Sequence, residues 1–167
     1  MFKENERQML LLIVFALATV HALADTLAGR VVKVSDGDTI TVLDPTNQQH
    51  KIRLMGIDAP EKKQPFGERS KQVLSNMVYD RKVVVEYSKL DRYGRKVGKV
   101  LIDGNDANLQ QVEIGMAWHY KKYQAEQSAD DRELYAVAEE QAKQESKGLW
   151  VDRKPIPPWD WRKSSRK

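Results

Sequence analysis

From Leu27 onward, apolar and polar positions alternate in short runs bounded by turn residues. Val31, Val32 and Val34 mark a first strand over 27–34, which Asp36-Gly37 ends. Ile40 and Val42 mark a second near 38–44. Ile52 and Leu54 mark a third near 49–57, with a turn at Asp44-Pro45-Thr46-Asn47 between the two. The spacing becomes helical over 66–78, where Phe66, Val73, Leu74 and Met77 form the apolar set. Alternating β-branched residues return over 81–87 and 97–102, separated by the polar turn Asp91-Arg92-Tyr93-Gly94-Arg95. Two helices close the pattern. A short one, capped by Asn105 or Asp106, buries Leu109 and Val112 and stops at Gly115. A longer one opens on a capping box at Ser128 and Asp131, buries Leu134, Val137 or Ala138, and Ala142, and ends at Gly148, after which Leu149 and Trp150 fold back on the core. Five strands, a helix between the third and fourth and two helices at the end predict an α+β fold, a five-stranded OB-type β-barrel with three α-helices.

The two ends follow other patterns. Lys3 and Arg7 precede the apolar run Met9–Ala18, and Ala22-Leu23-Ala24 offers the small-x-small sequence that a signal peptidase accepts. The apolar run is only about half of the roughly 20 residues a membrane span needs. The expectation is therefore a cleavable signal peptide, 1–24, with no stable membrane anchor after processing, and a mature monomer that is exported, either secreted or periplasmic. The body, 25–152, is expected to be one folded domain. Beyond it lies a basic tail, 153–167, in which Pro155, Pro157 and Pro158 predict extended or disordered chain. Residues 25–150 balance their charges, and residues 151–167 carry the whole net charge of +4, a pattern suited to a polyanionic partner. The chain has no cysteine, which excludes a disulfide framework, a thiol nucleophile and a thiolate zinc site.

The hairpin of the second and third strands brings Asp36, Asp38, Asp58 and Glu61 to one rim, with Arg53 among them. Two like charges about 4 Å apart repel by roughly 4 kcal/mol at an effective dielectric near 20, so such a cluster calls for a cation. Oxygen donors, without cysteine or a histidine-rich run, favour a hard divalent ion. Hydrolysis of a phosphodiester needs that combination: a metal to draw off charge, a base for water, and cationic donors on the phosphate oxygens. Asp38 and Asp58 suit the ion, Glu61 the water, and Arg53 and Arg95 the phosphate, since the guanidinium fork pairs with two oxygens at once. Of the histidines, His21 leaves with the leader, His50 falls in a turn, and His119 matches no ligand or base motif.

Over residues 28–150 the chain resembles the thermonuclease family, typified by staphylococcal nuclease. The pieces that carry the resemblance are Asp36-Gly37-Asp38-Thr39, Arg53-Leu54-Met55-Gly56-Ile57-Asp58-Ala59-Pro60-Glu61, Asp91-Arg92-Tyr93-Gly94-Arg95 and Lys147-Gly148-Leu149-Trp150, in that order. The resemblance implies a Ca2+-dependent, sugar-nonspecific phosphodiesterase acting on DNA and RNA and leaving 3′-phosphate ends. It implies that Asp38, Asp58 and the main-chain carbonyl of Ala59 ligate calcium, that Glu61 activates water, and that Arg53 and Arg95 are the catalytic arginines. Three departures stand out. Ala59 occupies a position that is threonine in the type member, which leaves only the carbonyl as a ligand. The loop from Glu61 to Phe66 is shorter. Trp118 and Tyr120 stand where the type member's nucleotide pocket has tyrosines, and with Tyr93 they form the expected nucleotide-binding aromatics.

Overall fold

The computed structural model describes residues 25–165; the expected signal peptide lies outside them. The chain order is β1 (Asp25–Asp36), β2 (Thr39–Leu43), β3 (Gln49–Leu54), β4 (Ile57–Asp58), α1 (Gly67–Val78), β5 (Lys82–Leu90), β6 (Lys96–Ile102), β7 (Asn105–Asp106), α2 (Ala107–Glu113), β8 (Trp118–His119), α3 (Ala129–Gln144) and α4 (Pro158–Ser164). The sheet runs β3-β2-β1-β5-β6-β7, and a parallel pairing of β3 with β6 closes five of these strands into a barrel. β1 serves both sides. Its first half pairs antiparallel with β5 and its second half with β2, with register shifts between Val31 and Lys33 and between Val34 and Asp36 that let one long strand bend around the barrel.

The alternation seen in the sequence points inward as expected. Val31, Ile40, Val42, Ile52, Leu54, Val83, Val85 and Val100 fill the barrel, and Leu74 and Val78 of α1 plug its end. Each such side chain contributes about 1.5–3 kcal/mol relative to leaving it in water. The expected β-turn is tied by Asp44, whose Oδ1 accepts from the backbone of Thr46 at 2.8 Å and of Gln48 at 2.9 Å, while Asn47 takes φ +62°. Asp106, one of two candidates for the α2 cap, accepts from Asn108 and Leu109 backbone N–H groups. Ser128 caps α3 through the Asp131 N–H.

Two expectations about helices are corrected. On α3, Ala138 and Ala142 are buried as expected, but Leu134 and Val137 are 53% and 58% exposed, and the inward face is completed by Tyr135 and Glu139. That face is stable because its polar groups are paired. Tyr135 donates to Asp106 at 2.7 Å, and Glu139 accepts from the His119 N–H at 3.1 Å, from Lys121 at 2.7 Å and from Lys143 at 2.9 Å. The same helix stops at Gln144, turned by Ser146 at φ +52°; Gly148 lies beyond it, where Leu149 N–H donates to the Gly115 carbonyl. The second correction concerns the tail. Pro157 and Pro158 introduce the short helix α4 instead of forbidding structure, because Pro158 enters in the first turn, where a missing N–H costs nothing.

Candidate active site

The turn Asp36-Gly37-Asp38 is set against the helices by close approach. A Cβ on Gly37 would collide with Ser70 of α1, and Gln111 of α2 donates its Nε2 to the Gly37 carbonyl at 2.8 Å. Asp38 thereby leads into β2 at a fixed height. Leu54 N–H donates to the Asp38 carbonyl at 2.9 Å, which locks the end of β3 beside it. The chain then reverses at Gly56, whose φ of +77° suits glycine, and returns as β4, pinned by pairing of Asp58 with Trp118 of β8. Buried Asn108 of α2 holds this corner from below, accepting from Val100 N–H and donating to the carbonyls of Met55 and Gly98.

Asp38, Asp58 and Arg53 meet here. Arg53 Nη2 lies 3.1 Å from Asp38 Oδ2 and 2.9 Å from Asp58 Oδ1, so a single guanidinium nitrogen pairs with both carboxylates. Asp38 is 6% exposed and Asp58 1%. The Ala59 N–H donates to Asp38 Oδ2 at 2.8 Å, which ties the two motifs together. Glu61 follows on the loop, with Gln64 Oε1 accepting from its N–H at 3.1 Å. Arg95 comes from the far side of the cleft, at the start of β6. Asp91 Oδ2 accepts its Nε at 2.7 Å, and its Nη1 reaches Thr39 Oγ1 at 3.4 Å, while Thr39 itself donates to Asp38 Oδ1 at 3.0 Å. All five of these residues line one cleft of about 740 Å³.

Electrostatics in the cleft are out of balance. Burial pushes the Asp58 carboxyl up even against the pull of Arg162 and Arg53, and burial with the neighbouring Asp38 charge pushes Asp36 up to about 7. Against burial, which raises it, hydrogen bonds from Arg95 and Tyr93 hold Asp91 below the usual carboxylate range. The acidic group can therefore take further positive charge. Among the described residues no three His, Cys, Asp or Glu side chains converge as a cage. The side-chain donors that do meet here, the carboxylates of Asp38 and Asp58, are oxygen donors of the kind a hard ion takes.

The aromatics are placed unequally. Tyr93 is 68% exposed at the rim, under the guanidinium groups of Arg92 and Arg95, and lines the cleft. Tyr120 also lines it, but Trp159 of α4 lies parallel to its ring at 5.3 Å, with the planes 7° apart. Trp118 is outside the cleft lining, edge-on to Trp150 at 4.3 Å and to Trp159 at 5.6 Å. Three residues that contact the site carry no separate signal in the sequence. Thr39 and Asp91 lie inside the motifs of Asp38 and Arg95, where their spacing suits a supporting role. Arg162 lay in the tail, and nothing in the local sequence placed it within 2.7 Å of Asp58 and Glu61.

Comparison with known proteins finds relatives along most of the chain. An uncharacterized endonuclease of Haemophilus influenzae is 44% identical over 137 residues, covering 82% of this chain and 74% of that protein. Protein ParB of Escherichia coli is 40% identical over 148 residues, 83% of this chain and 81% of the relative. A micrococcal nuclease of Shigella flexneri is 36% identical over 162 residues, 92% and 90% of the two chains. Residues 51–152 match the family described as staphylococcal nuclease homologue. A closed OB-type barrel, nuclease relatives along most of its length and this family match lead to one conclusion: the chain is a phosphodiester-cleaving nuclease and belongs to the staphylococcal nuclease homologue family.

Proposed function

We propose that this nuclease is exported, depends on calcium, acts on both DNA and RNA and leaves 3′-phosphate ends. The observation that carries the site assignment is the pairing of one Arg53 nitrogen with both Asp38 and Asp58 in a cleft that Glu61 and Arg95 also line. In this reading Asp38, Asp58 and the Ala59 carbonyl hold the ion, which when bound supplies Lewis-acid stabilisation of the phosphate charge. Glu61 orients the attacking water or takes its proton. Arg53 and Arg95 donate to the phosphate oxygens as negative charge grows, with Asp91 and Thr39 fixing the direction of Arg95. Tyr93 and the free edge of Tyr120 form the apolar wall against which a base packs, a contact indifferent to base identity and to the sugar.

Several features support the finer points. The oxygen-only donor set suits calcium, the two arginines are poised for equatorial phosphate oxygens, and the leader-like segment 1–24 precedes the first barrel strand. The deciding experiment is digestion of an end-labelled oligodeoxynucleotide and its RNA counterpart with calcium, with magnesium and with chelator, reading the chemistry of the new ends. Cleavage of both substrates with calcium only, giving 3′-phosphates, is expected. Undiminished cleavage in chelator, or 5′-phosphate ends, would refute the reading. Export is tested separately by N-terminal sequencing of the mature protein, which should begin at Asp25.

A further inference from the structure

Arg162 reaches the acidic cluster from the last turn of α4. Its Nη2 donates to Asp58 Oδ2 at 2.7 Å, and its Nη1 donates to Glu61 Oε1 at 2.7 Å and to Asp58 Oδ1 at 3.3 Å. One guanidinium thus bridges the residue assigned to the ion and the residue assigned to the water. Docking of α4 does not depend on this bridge. Pro158 is buried, Trp159 lies over Tyr120, and Gln64 Nε2 donates to the Ile156 carbonyl at 2.6 Å. Arg162 can therefore leave the carboxylates by rotation of its own long side chain while the helix stays in place.

The oxygens it occupies are the ones an ion would need. A carboxylate oxygen offers two lone-pair directions. Asp58 Oδ1 already accepts from Arg53 Nη2 and Arg162 Nη1, and Oδ2 accepts from Arg162 Nη2. Asp58 is almost wholly buried, so water cannot screen a guanidinium from a divalent ion placed beside it.

We propose that Arg162 competes with the divalent cation for Asp58, while its other arm holds Glu61, and so sets the ion concentration at which the active site becomes loaded. The proposal rests on the metal reading given above. Arg162 is an internal counter-ion: it stabilises the ion-free protein by compensating Asp58 and Glu61, and linkage subtracts that stabilisation from the affinity of the ion. Arg53 has no such role, because it bridges the two aspartates from within the barrel rim and also donates its Nη1 to the Leu54 carbonyl at 2.9 Å.

The test uses the full chain, calcium alone as the probe, and the variants Arg162→Gln and Arg162→Lys. Isothermal titration should show calcium bound about tenfold tighter or more by Arg162→Gln, with Arg162→Lys between it and the parent. In chelator Arg162→Gln should melt at a lower temperature than the parent, since the carboxylates lose their counter-charge. In saturating calcium the two should melt together, because the ion has displaced the parent's guanidinium and the variant has none to lose. Unchanged or weaker calcium affinity overturns the proposal, and so does a melting-temperature loss of equal size in both buffers, which is what a purely structural clamp would give. If neither protein binds calcium, the metal reading fails and this inference with it; if the parent binds and the variant binds no better, only this inference fails.

Discussion

At the scale of single residues, the cleft is built from charges that hold one another in direction. Arg95 is the clearest case: Asp91 takes its Nε and Thr39 faces its Nη1, so its fork is aimed before any substrate arrives. Replacing Arg95 by lysine should lower kcat by about 10²–10³, the loss of about 3–4 kcal/mol that follows removal of a transition-state donor, with little change in melting temperature. Asp91→Asn should cost about tenfold, in kcat more than in KM, because the guanidinium remains but its orientation loosens. Steady-state kinetics on a defined oligonucleotide check both, and parent-like rates for Arg95→Lys would remove it from the reaction. Residue identities of this kind were legible in the sequence because each lies in a short motif whose spacing fixes it. Arg162 was not, because a lone arginine in a basic tail looks the same whether it faces solvent or a buried aspartate.

Among the elements, α3 shows how packing overrides a periodic pattern. Leu134 and Val137 have helical spacing and point outward, whereas the face with tyrosine and glutamate turns in. A 3.6-residue period says that a helix has two faces; it does not say which one meets partners able to satisfy buried polar groups. Glu139 joins α3 to β8 through His119 N–H and to Lys121 and Lys143. Burial raises its pKa, but the hydrogen bonds from the two lysines prevail and hold the carboxyl below the usual glutamate range. A depressed folded-state pKa means stability that is complete above the unfolded-state value of about 4.3 and is lost as pH falls through the lower folded value. Glu139→Gln should therefore reduce unfolding free energy by about 1–3 kcal/mol at pH 7 and by progressively less as pH falls below the unfolded-state value, as measured by urea titration. A constant difference across that range would contradict the ion-paired role of Glu139.

The whole molecule places its cations around a cleft whose floor is acidic. Lys89, Arg92 and Lys122 line the same opening as Tyr93 and Tyr120, and a nucleic-acid strand entering it exchanges condensed counterions for them. Raising monovalent salt from about 50 to 200 mM should increase KM for single-stranded substrate about tenfold, with a smaller effect on kcat. A salt-independent KM would place the binding energy elsewhere. The amino-acid sequence by itself did not determine the two-residue strands β4, β7 and β8, but it did determine the five barrel strands, their inward faces and the motifs that contain Asp38, Asp58, Glu61, Arg53 and Arg95. Those features follow from local periodicity, turn chemistry and short-range spacing. Only the tertiary structure decided that Trp118 packs among Trp150 and Trp159, that α4 covers Tyr120, and that Arg162 lies across Asp58 and Glu61. Each of these joins residues far apart in the chain, and such contacts are selected by the shape and charge of a surface that exists only once the barrel has closed.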